Sequence, residues 1–302
     1  MDRVKRVIHC DRAYKMGLTG KNITVAIMDT GIAPHPDFNR RILHFEDFCQ
    51  KKLAVYDDNG HGTHVAGILG GSGEMSENAH GVRILSGVAP GVNFLILKVL
   101  DQKGSGLTSH VLTGMDWLLK HRERFQVKIL NISVGMMAGA GRKDQENLLC
   151  AVEEAWDQGI MVVTAAGNNG PKENSVTVPG ISRKVVTVGS WDDNVAEIGS
   201  GGRLVRNYSG FGPTECCIVK PEVLAPGTNV KSCSRDARGY TIKSGTSMAA
   251  PVVSGAIALA YQKHPGYTPA EMKIKLYESA YPRGEQIGRR CWGMLHVDNL
   301  VV

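Results

Sequence analysis

Five apolar, β-rich runs separated by stretches of helical period predict a three-layer α/β/α fold with a mainly parallel central sheet. The runs are ITVAIMD (23–29), NFLILKV (93–99), VKILNIS (127–133), IMVVTAA (160–166) and KVVTVGS (184–190). They are continuous in Val, Ile and Leu rather than alternating, as strands buried on both faces are. No Pro/Ser-rich linker, composition shift or internal repeat divides the 302 residues, so one domain is expected over 1–302.

Taken in order, residues 1–22 read as an N-terminal extension ahead of the first strand. That strand ends on Asp29-Thr30-Gly31, which by itself is ordinary turn chemistry. His61–Gly67 (HGTHVAG) follows the turn-like DDNG, and its small residues allow a tightly packed helix with His61 near the start and His64 one turn along. Val111, Met115, Leu118 and Leu119 recur at helical spacing, as do Leu148, Val152, Ala155 and Trp156 before a stop at Gly159. Pro251 follows Ser247 by four residues and is tolerated only in a helix's first turn, which places Ser247 at a helix N-terminus. Three polar loops, Gly70–Gly87, Met137–Asp144 and Ile198–Asn207, read as surface variation.

Composition excludes several classes. Hydrophobic residues make up 42% and charged residues 21%, enough for a sizeable core and against disorder. The longest nearly uncharged run, Ser244–Gln262, is broken by Gly, Ser and Pro251 and makes a poor membrane span. The opening MDRVKRVIHCDRAYK has no apolar continuation, so no secretory signal is read and a cytoplasmic protein is expected, with a secreted mature fragment as the alternative. Seven cysteines without disulfide spacing fit that compartment as free thiols, and no CxxC or Cys/His quartet offers zinc ligands. A net charge of +6 without a basic block interleaved with aromatics gives no nucleic-acid partner.

Function in open α/β sheets collects where strands deliver their carboxyl ends. Asp29, Ser133-Val134-Gly135 and Gly167-Asn168-Asn169-Gly170 all stand at such ends. Asp29 has three readings: a turn residue, half of an aspartic dyad, or the acid behind a histidine and a serine. The dyad needs a second Asp-Thr/Ser-Gly, which is lacking, and an all-β chain. A metal pair of His61 and His64 lacks an acidic third ligand at a recognisable offset. Ser247 could be a plain N-cap, but Gly245 before it allows close approach of another backbone, and an unassigned His and Asp precede it.

DTGI, HGTHVAG, AAGNNG and GTSMAAP, in this order, resemble the subtilisin-like serine proteases, the subtilases. His61 lies 32 residues after Asp29 and Ser247 a further 186 on. HPDF (35–38), GVAP (87–90) and LKVLDQKGSG (97–106) extend the likeness. The resemblance implies a subtilisin-like fold and makes Asp29 the orienting acid, His61 the base, Ser247 the nucleophile and Asn168 the oxyanion donor. It implies a cleft in which Gly104-Ser105-Gly106 and Ser133-Val134-Gly135 hold a peptide as an added strand. Ala165, Ala166, Gly167 and Asn169 would line the first side-chain pocket, with an apolar or broad preference and a floor left uncertain by the shortened PKENSVTVPG loop.

That makes a serine endopeptidase the expectation, with protein or peptide substrates and no cofactor needed for the chemistry. The rival is a catalytically silent subtilase fold acting as a binding module. An α/β-hydrolase esterase is excluded because GTSMA lacks the final Gly and the order Ser, Asp, His is absent. Family members often hold a structural calcium through an aspartate matching Asp37. The expected asparagine ligands are not at matching positions, which puts that calcium in question. Only 28 residues precede Asp29, closer in style to the intracellular bacterial subtilisins than to members with a long prodomain.

Overall fold

The computed structural model describes all residues except 134, 136–140, 195–196, 199–203, 206, 214–217, 237–238 and 283–290. The expected strands form with their ends trimmed: β1 (Thr24–Asp29), β3 (Asn93–Lys98), β4 (Val127–Ile132), β5 (Met161–Ala165) and β6 (Val186–Ser190). Between the first two of these lies β2 (Ile42–Asp47), half-exposed at the sheet edge, where no continuous apolar run marks it. The short β7 (Val223–Ala225) and β10 (Gly293–Met294) complete eight strands in the order β10-β7-β6-β5-β4-β1-β3-β2, every pairing parallel. Outside this sheet, β8 (Val230–Cys233) and β9 (Tyr240–Lys243) form a separate antiparallel hairpin, and two minimal antiparallel pairs join Glu197–Ile198 to Leu204–Val205 and Gly212–Pro213 to Val219–Lys220.

Alternation along each strand divides the core into two layers. Val25 and Ile27 of β1 pack with Val65, Ile68 and Leu69 of α3 (His61–Gly70) and with Val252 and Val253 of α6 (Thr246–Lys263). Ala26 and Met28 face the other way, onto Met115 and Leu118 of α4 (Thr108–Phe125) and Leu148 and Val152 of α5 (Arg142–Asp157). Helices on both faces are what right-handed crossovers between parallel strands require. In α6, Pro251 sits in the second turn rather than the first. Its missing N–H would have met the carbonyl of Ser247, so the helix opens with that carbonyl outside the ladder. Gly255 lets α6 approach the GVAP segment, since a Cβ there would lie 2.7 Å from Val88.

Residues 1–22 are packed. Two short helices, α1 (Asp2–Val7) and α2 (Asp11–Lys15), bury Val4, Ile8, Cys10 and Ala13 in the larger core. A C-terminal turn of helix, Val297–Leu300, pins them: Val297 N–H donates to the Ile8 carbonyl at 2.8 Å and Asp298 N–H to that of His9 at 3.0 Å. The Asp298 carboxylate then accepts the N–H groups of Arg12 and Ala13, closing the first turn of α2. Among the described residues no helix is long and apolar enough to cross a membrane. Cys10, Cys49, Cys150 and Cys233 are free thiols, while Cys216 and Cys217 lie outside the described residues.

Candidate active site

The carboxyl end of β1 delivers Asp29 into a fully buried position. His61, first residue of α3, turns Nδ1 onto both carboxylate oxygens, at 2.8 and 2.9 Å. Gly62 makes this closeness possible, because a Cβ there would lie 2.2 Å from the Gly31 carbonyl and 3.2 Å from Asp29. Asp57, not singled out from sequence, holds the entry to α3. Its two oxygens accept from Thr30 Oγ1, from the N–H groups of Asn59, Gly60 and Thr63, and from Thr63 Oγ1. Burial disfavours charge on His61, but the negative Asp29 and its hydrogen bond outweigh that and raise the imidazole's pKa above its ordinary 6.5.

Ser247 is the second residue of α6, where the backbone N–H has no partner inside the helix. Its hydroxyl donates to the carbonyl of Ser133 at 2.7 Å rather than to His61. Asn168, beyond β5, accepts through Oδ1 from both the N–H and the hydroxyl of Thr246, each at 3.0 Å. With the oxygen committed, the amide NH2 is the end that faces out. Thr246 Oγ1 also accepts from Gly167 N–H at 3.1 Å. This residue was hidden inside the GTSMAAP motif. Gly245 sits at φ 143°, and a side chain there would press to 3.1 Å from Asn168 Nδ2.

These groups share one open cleft of about 430 Å³. Of the expected residues, Gly104, Ser133, Gly135, Ala165, Gly167 and Asn169 line it beside His61, Asn168 and Ser247. Ser105, Gly106 and Ala166 do not line it: Ser105 and Gly106 are exposed, while Ala166 is buried and bonds through its backbone to Val188 and Thr177. Val134 lies outside the described residues. Thr177 also lines the cleft and was missed. Its side chain is wedged between two wall glycines, so that a Cβ on Gly135 or Gly167 would fall 2.2 or 2.5 Å from it. The loop carrying it was the one whose place in the pocket floor the sequence left open.

A profile of the subtilase family matches residues 20–299. The chain is a subtilase. It is 40% identical to the serine protease AprX of Bacillus subtilis (strain 168), over 90% of this chain and 65% of that protein. It is 35% identical to a thermostable alkaline protease of Halalkalibacterium halodurans, over 90% of this chain and 66% of that protein. The chain thus spans just under two thirds of the length of these relatives, whereas it covers 91% of subtilisin DY from Bacillus licheniformis at 33% identity. Among solved structures, a cold adapted subtilisin-like serine proteinase aligns with a TM-score of 0.74 at 31% identity, over 93% of this chain and 90% of that one.

Two polar clusters of this subtilase lie outside the cleft. His64 is buried, and its Nε2–H is shared between the carbonyls of Val230 and Thr241 in the β8–β9 hairpin, 3.0 and 3.2 Å away. Burial, helped by Lys243 and His61, pushes its pKa down to about 3, so it is a neutral structural ring held by the hairpin through Nε2. Asp37, the aspartate of the resemblance's calcium, is fully buried. Its oxygens already accept from Met75 N–H at 3.0 Å, the Tyr240 hydroxyl at 2.8 Å and the Cys233 thiol at 3.5 Å. Around it His35 and Cys233 offer nitrogen and sulfur within 4.8 Å. Calcium takes a shell of six to eight oxygens, and a backbone N–H aimed at the carboxylate opposes it. The residues do not fit that ion.

Proposed function

We propose that the chain is a serine endopeptidase acting through Asp29, His61 and Ser247, with Asn168 and the Ser247 N–H as oxyanion donors. The buried Asp29 holding His61 Nδ1 at 2.8 Å, in one cleft with Ser247, carries this reading. Asp29 fixes the tautomer that leaves Nε2 basic and steadies the imidazolium when it forms. A peptide laid along Ser133 as an added strand would offer a main-chain N–H to the Ser133 carbonyl. That N–H competes with the Ser247 hydroxyl, which is then free to rotate towards His61. The hydroxyl oxygen attacks the scissile carbonyl carbon while its proton passes to Nε2. The carbonyl oxygen, now negative, is met by the Asn168 amide and the helix-terminal N–H. The same proton goes to the departing amine, and water repeats the sequence on the acyl-enzyme.

Specificity follows from Thr177. By filling the gap between Gly135 and Gly167 it makes the first pocket shallow and suited to small side chains.

The test is labelling of purified protein with a fluorophosphonate probe, together with hydrolysis of casein and peptide amides. Labelling and cleavage should both vanish in Ser247→Ala. In Asn168→Ala, kcat should fall by about 10²–10³, as for other oxyanion donors, with KM little changed. A folded wild type that neither labels nor cleaves would leave a silent binding module.

A further inference from the structure

Arg3 of α1 reaches across to the loop that precedes the proposed nucleophile. Its Nη1 donates to Asp192 Oδ2 at 2.8 Å, and its Nη2 donates to the carbonyl of Thr228. Asp192, nearly buried, uses its other oxygen to accept the N–H groups of Gly227 at 2.8 Å and Thr228 at 2.9 Å, and the hydroxyl of Ser190 at 3.0 Å. The turn so gripped is bonded to the backbone entering α6: Gly245 N–H donates to the Gly227 carbonyl at 2.9 Å, and Asn229 N–H to Ser244 Oγ at 3.0 Å. The fit is close, since a Cβ on Gly227 would lie 2.7 Å from the Gly245 carbonyl oxygen. Ser247 is two residues beyond Gly245, and the intervening Thr246 N–H is the group that fixes the Asn168 amide.

We infer that Arg3 is a positioning residue for catalysis, through which the docked first helix holds the Gly227–Asn229 turn and, by way of Gly245, the Ser247 and Asn168 oxyanion donors. The guanidinium suits this because its planar fork meets a carboxylate and a carbonyl together, which an ammonium cannot match. Displacement of reacting groups by fractions of an ångström is enough to slow a reaction whose substrate still binds. The inference rests on the reading of Ser247 as nucleophile.

Arg3→Ala, Arg3→Lys and, on the same helix, Lys5→Ala would be compared with wild type. Lys5 Nζ bonds Ser86 Oγ at 2.8 Å and has no part in the Gly227 turn, so it controls for docking of α1 alone. The readouts are the rate of fluorophosphonate labelling, kcat and KM on a peptide amide, and Tm. Arg3→Ala should lower the labelling rate and kcat by about 3- to 10-fold, with KM within about twofold and a folded transition retained. Arg3→Lys should lie between it and wild type, and Lys5→Ala should match wild type. Wild-type labelling and kcat in Arg3→Ala would overturn the inference while leaving Ser247 as nucleophile. An equal loss of kcat in Lys5→Ala would also overturn it, since α1 would then matter only as packing. A wild type that does not label would overturn both readings.

Discussion

His61 is under two opposed pressures, and the balance sets a pH dependence. Burial favours the neutral ring, while Asp29 favours the charged one and prevails, so the pKa lies above 6.5. As the proposed general base, His61 must be neutral to accept a proton, so activity should fall on acidification through that raised value. Asp29→Asn should move the acid limb of the kcat/KM profile to lower pH and reduce kcat by about 10⁴, measured on one peptide amide from pH 4 to 9. An acid limb that stays in place would show that Asp29 does not set it. Thr177 governs a different quantity. Thr177→Gly should raise the kcat/KM ratio of a Phe over an Ala peptide amide, because the wedge between Gly135 and Gly167 is gone; an unchanged ratio would place the limit elsewhere. At this scale sequence order made Asp29, His61, Ser247 and Asn168 legible, because each sits in its own short motif. Thr177 and Asp57 were not, because a threonine and an aspartate in loops acquire their parts only from what folds against them.

At the scale of elements, the strands buried on both faces were legible as apolar runs. The edge strand β2 was not, since half its side chains meet water, and β7 and β10 are too short to show a period. The GTSMAAP helix was placed correctly at Ser247 but with Pro251 one turn too early, because the glycine-led entry adds residues before the proline. The loop 70–87 and the β8–β9 hairpin are joined through Asp37, by donors from Met75, Cys233 and Tyr240, residues far apart in the chain that no local pattern links. Their stability should therefore be indifferent to chelators. EDTA should leave Tm unchanged, whereas Tyr240→Phe, which strips a donor from a buried carboxylate, should cost about 1–3 kcal/mol in denaturant unfolding. A Tm that drops in EDTA and returns with calcium would reverse that assignment.

For the whole molecule, acid is the weak side. His64 is neutral in the fold, with its pKa near 3, but binds a proton once unfolded, near 6.5. Between those values the unfolded state holds the extra proton, so stability falls as pH falls, by an amount on the order of a few kcal/mol across the window. Asp57 adds to this further down: hydrogen bonds from Thr63, Gly60 and Thr30 outweigh burial and lower its pKa, so its contribution is lost as pH falls through that lowered value. His61 has the opposite sign, stabilising below 6.5 and losing that contribution as pH rises through its raised pKa. His64→Gln should flatten Tm against pH between 6.5 and 4 even if it lowers Tm at neutrality, and an unchanged slope would assign the loss to other groups. The docking of Ile8 and His9 on Val297 and Asp298 has a consequence in time rather than in energy. A ribosome releases Asp29, His61 and Ser247 well before residue 298, so the first two helices cannot seat until about 50 residues after the nucleophile have also emerged. If Arg3 sets the nucleophile loop from that seat, a nascent chain that already carries the proposed triad cuts slowly until residue 298 has emerged and the seat has formed.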